Sequence, residues 1–307
     1  MNAAPDQFGD ALPAVPHQVG DALPDAVWRE VLAETQHTLG DAREARLLCE
    51  HAAGLDAAEF SASLGESVTH RMAVHLQEMV RRRLSGEPLQ YVMGRWAFRH
   101  IDLLVDSRVL IPRPETELVA EAALQWAREA SPRVVVDLGT GSGAIGLSLA
   151  HELPIEGTTV WLTDNSLDAL NVARANAAGI GRAGANVRIA HGDWYDALPD
   201  ELRGAIDVLV SNPPYIAEGD PDVEANVAAH EPHLALYSGP DGLDALRAVI
   251  SGAAQWLRSG GVLVAEIGHR QGDAVRALCD AADLRDVEIR RDFAGRDRIV
   301  VARRYAD

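Results

Sequence analysis

Apolar residues recur three and four positions apart from Asp25 to about Ser85: Val27, Val31 and Leu32, then Ala45, Leu48 and Cys49, then Met72, Leu76, Met79, Val80 and Leu84. Residues so spaced share one face of an α-helix, and the segment is predicted to form a small helical bundle. The chemistry turns β-rich over residues 86 to 110. There Tyr91-Val92-Met93 precedes Gly94 and Ile101-Asp102-Leu103-Leu104-Val105 follows it, a pattern that predicts a hairpin linking two domains. From about Glu115 the pattern becomes strand then helix, repeated. Val134 to Val136, Thr159 to Leu162, Val187 to Ala190, Ile206 to Val210 and Val262 to Ile267 read as strands, with helices starting from Ala144 and from Ser166. Nearly continuous apolar strands alternating with helices predict a parallel sheet covered on both faces, an α/β Rossmann-like fold. Two last strands, near Val287 to Ile289 and Ile299 to Ala302, are expected to pair antiparallel.

Composition adds limits to this outline. Residues 1 to 24 are rich in Ala, Pro, Gly and Asp and carry "GDALP" twice, which predicts a disordered tail. The longest apolar runs, such as Gly261 to Ala265, are far too short to span a membrane, and the N-terminus has no basic region followed by an apolar one. The expectation is a cytoplasmic protein without a membrane partner. The net charge of −18 argues against stable nucleic-acid binding, which needs many cationic contacts to phosphates. Lysine is absent, so apart from histidine every cationic side chain is arginine. The run Arg81-Arg82-Arg83 reads most simply as a cationic helix C-terminus. Cys49 and Cys279 lie far apart with no metal-ligand spacing and read as small buried hydrophobes; no metal site is expected.

Two stretches carry chemistry. In "VVVDLGTGSGAIGLSLA", Gly139, Gly141 and Gly143 fall where a strand gives way to a helix, so backbone amides can approach a ligand. Gly141, Gly143 and Gly146 also fit the dinucleotide spacing G-x-G-x-x-G, which keeps a nicotinamide dehydrogenase open, as does tight helix packing alone. Asp164 closes the second strand and could accept from ribose hydroxyls under either ligand reading. The second stretch, "SNPPYIA" at 211 to 217, ends an apolar strand with an amide, two prolines and an aromatic ring. Prolines cannot donate to the ladder, so the strand stops there. Ligands of open α/β sheets bind at the carboxyl ends of strands, which puts Asn212 beside the glycine turn. The Asn212 side-chain carbonyl and the Pro213 backbone carbonyl offer two acceptors for a planar NH2 group, and Tyr215 offers a ring to stack on it. Such a cradle suits methyl transfer to an amide or amino nitrogen; an ordinary Asn-Pro turn is the plainer alternative.

With these residues in view, the chain resembles the HemK-type protein-glutamine methyltransferases, which act on the glutamine of the Gly-Gly-Gln motif of class I peptide chain release factors. The matching stretches, within residues 41 to 304, are "ARLLCEHAAGL", "GEPLQYVMG", "LIPRPETE", "DLGTGSGAIGLSLA", "SNPPYI", "EPHLALYSGPDGL", "AEIGHRQG" and "FAGRDRIVVAR". "NPPY" alone is shared with amino-methylating DNA enzymes; "PRPETE" together with "GPDGL" is more specific. The resemblance implies a class I S-adenosylmethionine-dependent methyltransferase domain over 115–307, a helical substrate-recognition domain over 25–85 and a β-hairpin linker over 86–114. It implies that Gly139, Thr140, Gly141, Ser142 and Gly143 cradle the methionine part of S-adenosylmethionine, that Asp164 binds its ribose, and that Asp193 and Trp194 lie near its adenine. It also implies that Asn212, Pro213, Pro214 and Tyr215 hold the substrate glutamine, with Asn212 also facing the cofactor and Phe98 packing on the glutamine stem. One departure is Asn165, where relatives usually carry an apolar residue against adenine.

No general base stands out. Tyr215, His191, His230 and His233 are candidates only by residue type. The expectation is catalysis by positioning and electrostatics, with Asn212, Pro213 and Tyr215 at its centre. An amino-methyltransferase of nucleic acid and a non-catalytic cofactor-binding scaffold are the alternatives; the charge argues against the first and the intact cradle against the second.

Overall fold

The computed structural model describes residues 26–130 and 133–305. The expected tail, residues 1 to 24, lies outside them. The chain divides into two compact units, one ending at Leu89 and the other starting at Gln90.

The first unit holds α1 (Trp28–Leu39), α2 (Ala42–Ala53), α3 (Ala57–Ala62) and α4 (His70–Leu84). Asp41 caps α2 by accepting from the amides of Arg43 and Glu44, and Asp56 caps α3 in a box with Glu59. Each such cap satisfies amides that would otherwise lack a partner, for about 1 kcal/mol. Trp28, Leu48, Cys49, Phe60, Leu76 and Met79 are fully buried, with Trp28 edge-on to Phe60 at 5.4 Å between ring centroids. The arginine run ends α4 as expected, and every member is paired: Arg81 with Glu78 at 2.6 Å, Arg82 with Glu87, and Arg83 with Glu44 of α2 at 2.7 Å.

Residues 86–114 depart from a plain hairpin. Leu89–Met93 forms a short helix, α5, so Tyr91-Val92-Met93 is not a strand. Gly94 ends the helix in the left-handed region at φ 67°, and the buried Tyr91 donates its hydroxyl hydrogen to the Val109 carbonyl at 2.5 Å. One aromatic side chain anchored this way outweighs the β-propensity of Tyr-Val. The hairpin follows the glycine as β1 (Arg95–Phe98) and β2 (Ile101–Leu104). It falls within the second unit.

The rest of that unit runs α6 (Pro114–Ala127), β3 (Arg133–Leu138), α7 (Ala144–Glu152), β4 (Thr158–Asp164), α8 (Leu167–Gly179), β5 (Val187–His191), β6 (Ile206–Ser211), α9 (Ala225–His230), α10 (Asp244–Trp256), β7 (Leu257–Glu266), α11 (Gly272–Ala281), β8 (Leu284–Arg291) and β9 (Asp297–Arg304). The seven strands form one sheet in the order β5-β4-β3-β6-β7-β9-β8. The first five are parallel, while β9 runs antiparallel to both β7 and β8. Alternate residues serve opposite faces. Val135, Val160, Val208, Val210 and Val264 pack under α6, α7 and α8, whereas Val136, Leu138, Leu209, Leu263 and Val300 pack against α10 and α11. Burying one such side chain contributes about 1.5–3 kcal/mol, and covering both faces explains why these strands carry almost no polar positions.

Strand order reverses between β3 and β6, which opens a crevice at their carboxyl ends. Leu138 pairs with Ser211 across the two strands, so the chain leaves the sheet at Gly139 and at Asn212 side by side.

Candidate active site

Residues at both exits line one cavity of about 410 Å³, a size suited to a cofactor. Gly139, Thr140, Gly141 and Ser142 line it from the turn into α7, Asp164 and Asn165 from the end of β4, Asp193 and Trp194 from beyond β5, and Asn212 and Pro214 from beyond β6. Gly143, Pro213 and Tyr215 belong to the same two segments but do not line the cavity. Phe98 is 1% exposed in the core of the second unit and does not reach the cavity.

The glycine turn has physical reasons for its residues. Gly139 and Gly141 sit at φ 68° and 56°, where a side chain is strained, and a Cβ on Gly139 would come into van der Waals contact with the Trp194 ring at 3.4 Å. Gly146 does a different job. A Cβ there would stand 2.1 Å from Leu162 Cδ2, so this glycine lets α7 lie directly on β4. Asn176 of α8 braces the turn from outside by donating to the Ser142 carbonyl at 2.8 Å and to the Leu104 carbonyl at 3.0 Å.

Four aspartates line this cavity, Asp137, Asp164, Asp193 and Asp244, and the first two are held by hydrogen bonds at the glycine turn. Asp164 accepts from the amides of Gly141 and Ser166, both at 2.9 Å, one on each oxygen. Burial raises its pKa, and each oxygen retains a lone pair for a ligand hydroxyl. Asp137, which sequence reasoning passed over, sits at the end of β3. Its Oδ2 accepts from Thr140 Oγ1 at 2.6 Å and from the Gly146 amide at 2.9 Å, while its buried Oδ1 has no partner. Burial pushes this carboxyl up to about 6. A buried acceptor left open on a cavity wall is complementary to a cationic ligand.

Behind Asn212 the distant motifs converge. Asn212 Nδ2 donates to Thr116 Oγ1 at 3.2 Å, Thr116 donates to Glu266 Oε2 at 2.7 Å, and the Tyr215 hydroxyl donates to Glu266 Oε1 at 3.0 Å. Arg298 Nη1 donates to the Tyr215 oxygen at 3.3 Å. Gln271 Nε2 donates to the carbonyls of Tyr215 and Gly242, each at 3.0 Å. Glu231 accepts from the Ile111 amide at 3.1 Å and pairs with Arg113, tying the segment after "NPPY" to the "PRPETE" segment. Sequence reasoning missed Thr116 and Glu266 as partners of Asn212, since about 100 to 150 residues separate the members.

The proton-acceptor candidates fare poorly. Burial and the adjacent Glu266 carboxylate push the Tyr215 phenol well above its ordinary range, so it stays protonated at neutral pH. None of the three histidines lines the cavity: His191 Nε2 meets the Asn165 carbonyl at 3.1 Å, His230 Nδ1 meets the Asn226 carbonyl at 3.0 Å, and His233 packs on Tyr237. Among the described residues no group of three or more His, Cys, Asp or Glu is placed to hold a metal ion, and no helix is long and apolar enough to cross a membrane. Both cysteines are buried and free, their thiols pushed up by burial, Cys49 to about 11 and Cys279 to about 12.

Known proteins are similar to this chain in fold and in sequence. A methyltransferase from Pyrococcus furiosus has the same fold, with a TM-score of 0.50 at 16% identity over 74% of this chain and 98% of that one. Residues 28–94 match the family model of the PrmC N-terminal domain, and residues 117–231 match that of the methyltransferase small domain. The release factor glutamine methyltransferase of Xylella fastidiosa (strain 9a5c) is 47% identical over 227 residues, 74% of this chain and 80% of that protein. Its counterpart from Gloeobacter violaceus is 41% identical over 284 residues, 91% of this chain and 96% of that protein. With relatives this similar along most of its length, and with their two domain models matched in order, the chain belongs to the release factor glutamine methyltransferase family.

Proposed function

We propose that this chain transfers a methyl group from S-adenosylmethionine to the side-chain amide nitrogen of the glutamine in the Gly-Gly-Gln loop of a class I peptide chain release factor. The observation that carries the reading is the placement of Asn212 and Pro214 in the wall of the same cavity as the glycine turn and Asp164. The residues present fit the cofactor: the turn exposes backbone at Gly139 and Gly141, Asp164 has acceptor capacity for hydroxyls, and Asp137 leaves a buried oxygen open toward a cation.

When bound, S-adenosylmethionine supplies a methyl group on a sulfonium, which leaves readily. The protein's part is to bind, orient and exclude water. Gly139 to Gly143, Asp164, Asp193 and Trp194 would hold the cofactor. Asn212 Oδ1 and the Pro213 carbonyl would accept the two hydrogens of the glutamine amide. With both hydrogens held, the nitrogen lone pair, which is perpendicular to the amide plane, is turned toward the methyl group and positive charge growing on nitrogen is stabilised. Tyr215 stays protonated and none of the three histidines lines the cavity, so none of these takes the proton before attack; the N-methylated amide cation that transfer leaves is strongly acidic and gives its extra proton to water. Positioning of this kind supplies several kcal/mol by itself.

The helical unit, residues 26 to 89, would recognise the body of the release factor, because a short loop alone offers too little surface for a specific interface. The substrate's place in translation termination makes the protein cytoplasmic in this reading, with no stable grip on nucleic acid. Incubation with methyl-labelled S-adenosylmethionine and either a release factor or DNA tests the proposal. Label on the Gly-Gly-Gln glutamine is the expected result; label on DNA alone, or on neither, overturns it.

A further inference from the structure

We infer that Thr116 is a positioning residue for methyl transfer: its hydroxyl, oriented by Glu266, locks the Asn212 side-chain amide with Nδ2 turned away from substrate and Oδ1 turned toward it. The inference rests on the cradle reading proposed above and adds to it a residue that holds the cradle in one state.

The number of hydrogens available to each group fixes the orientation of the amide. An asparagine amide has a donor end and an acceptor end of nearly equal shape, and a half-turn of the side chain exchanges them. Only one of the two orientations offers an acceptor to a substrate NH2. What selects it is the partner behind the amide. Thr116 has a single hydroxyl hydrogen, and its nearest acceptor is Glu266 Oε2 at 2.7 Å. A carboxylate can only accept, so that hydrogen is committed to Glu266. Thr116 Oγ1 then presents lone pairs alone to Asn212, 3.2 Å away, and the group facing it must be the NH2. Oδ1 is left without a protein partner among the described residues, at a side chain that lines the cavity.

Glu266 is in turn held in place. It is 1% exposed, its second oxygen accepts from the Tyr215 hydroxyl, and Arg298 donates to that same hydroxyl oxygen from behind. Burial raises the Glu266 carboxyl, while the Thr116 and Tyr215 hydroxyls and the nearby Arg298 charge favour its ionised form; with Glu266 ionised the donors run one way, from Arg298 to Tyr215 to Glu266 and from Asn212 to Thr116 to Glu266. Thr116 is 3% exposed and stands beside Asn212 in the cavity lining, but its hydroxyl is taken up by Asn212 and Glu266, so its influence on substrate is exerted through the amide.

Replacing Thr116 with Val keeps the shape and removes both the acceptor and the donor. The Asn212 amide then loses the contact that fixes both its orientation and its position, so the reactive geometry becomes a minority state. Thr116→Val should lower kcat on a release factor by roughly 10- to 100-fold, the range seen when a residue orienting a functional group is lost. The affinity for S-adenosylmethionine, read by calorimetry, and KM for the release factor should stay within about threefold of wild type, a factor worth under about 0.7 kcal/mol. Thr116→Ser, which restores the hydroxyl, should recover most of the lost kcat. Wild-type kcat in Thr116→Val overturns the inference, as does a Thr116→Ser variant as slow as Thr116→Val, since the methyl group and not the hydroxyl would then matter. If Thr116→Val fails to fold, judged by loss of the cofactor-induced rise in Tm, Thr116→Ala is scored by the same criteria. Asn212→Ala, run alongside, separates the two layers. If it keeps wild-type turnover, the cradle itself fails and this inference with it; if it is inactive while Thr116→Val is unimpaired, only the role of Thr116 falls.

Discussion

Replacing Asp137 with Asn should make the free protein more stable and the enzyme worse. The carboxyl is wholly buried, and burial moves it from 3.8 to about 6. A raised carboxyl pKa means that the folded chain binds the proton more tightly than the unfolded one. Stability contributed by this group is therefore greatest at low pH and is lost as pH rises from 3.8 through about 6. Above that window the charged group costs about 3 kcal/mol, at 1.36 kcal/mol for each pKa unit. Asparagine keeps the size and an acceptor for Thr140 and the Gly146 amide, and removes the charge. Asp137→Asn should thus exceed wild type in unfolding free energy by up to about 3 kcal/mol at pH 7.5, with the gain shrinking toward zero near pH 4. The same variant should bind S-adenosylmethionine more weakly, because the open oxygen at the cavity no longer carries charge. Urea unfolding of both proteins at pH 4.5 and pH 7.5, with calorimetry of cofactor binding at the higher pH, measures each part. A stability difference that is the same at both pH values, or a variant less stable than wild type at pH 7.5, would refute the reasoning.

Asn212→Ala should fold normally and lose about 2 to 4 kcal/mol of transition-state stabilisation, read as kcat on a release factor; Asn212→Asp, which keeps an acceptor, should retain partial activity. Asp164→Ala should weaken S-adenosylmethionine binding by about tenfold or more, since it removes charge-assisted acceptors and leaves the Gly141 amide unpaired, and calorimetry would show it. Gly146→Ala should destabilise by about 1–3 kcal/mol in thermal unfolding, because its Cβ would overlap Leu162 and press on Asp137. Removing residues 1 to 85 should spare cofactor binding while sharply lowering methylation of an intact release factor; undiminished methylation by the folded truncation would show that recognition lies elsewhere.

The sheet was legible because its strands are buried on both faces, so Val134 to Val136, Ile206 to Val210 and Val262 to Ile267 stood out as nearly continuous apolar runs, broken only by Asp207 and Glu266. The cavity-lining glycines, Asp164 and Asn212 were legible for a related reason: each directly follows or ends such a run, and strand ends are where a parallel sheet puts its ligands. Tyr91 was misread because a short helix held by one tertiary hydrogen bond leaves no periodicity to detect. Thr116 looked like one more polar residue at a helix start, and Glu266 like the end of a strand. Their pairing depends on α6 lying across β6 and β7, a tertiary fact with no local signal. Asp137 was hidden in plain sight beside the glycines, since nothing in the sequence tells which of its oxygens goes unpaired.

The pairing of Leu138 with Ser211 also decides where this chain can tolerate a change in length. Adding one residue within β6 ahead of Asn212 would shift the downstream register by about 3.3 Å and turn alternate side chains to the opposite face. Leu209 and Val210, now buried on different sides, would exchange layers, and the amide would leave the sheet a full step from Gly139. Length variation among natural or designed versions of this protein should therefore collect in segments with exposed backbone such as 218–224, and should be selected against in β3 and β6 even where every inserted residue is hydrophobic.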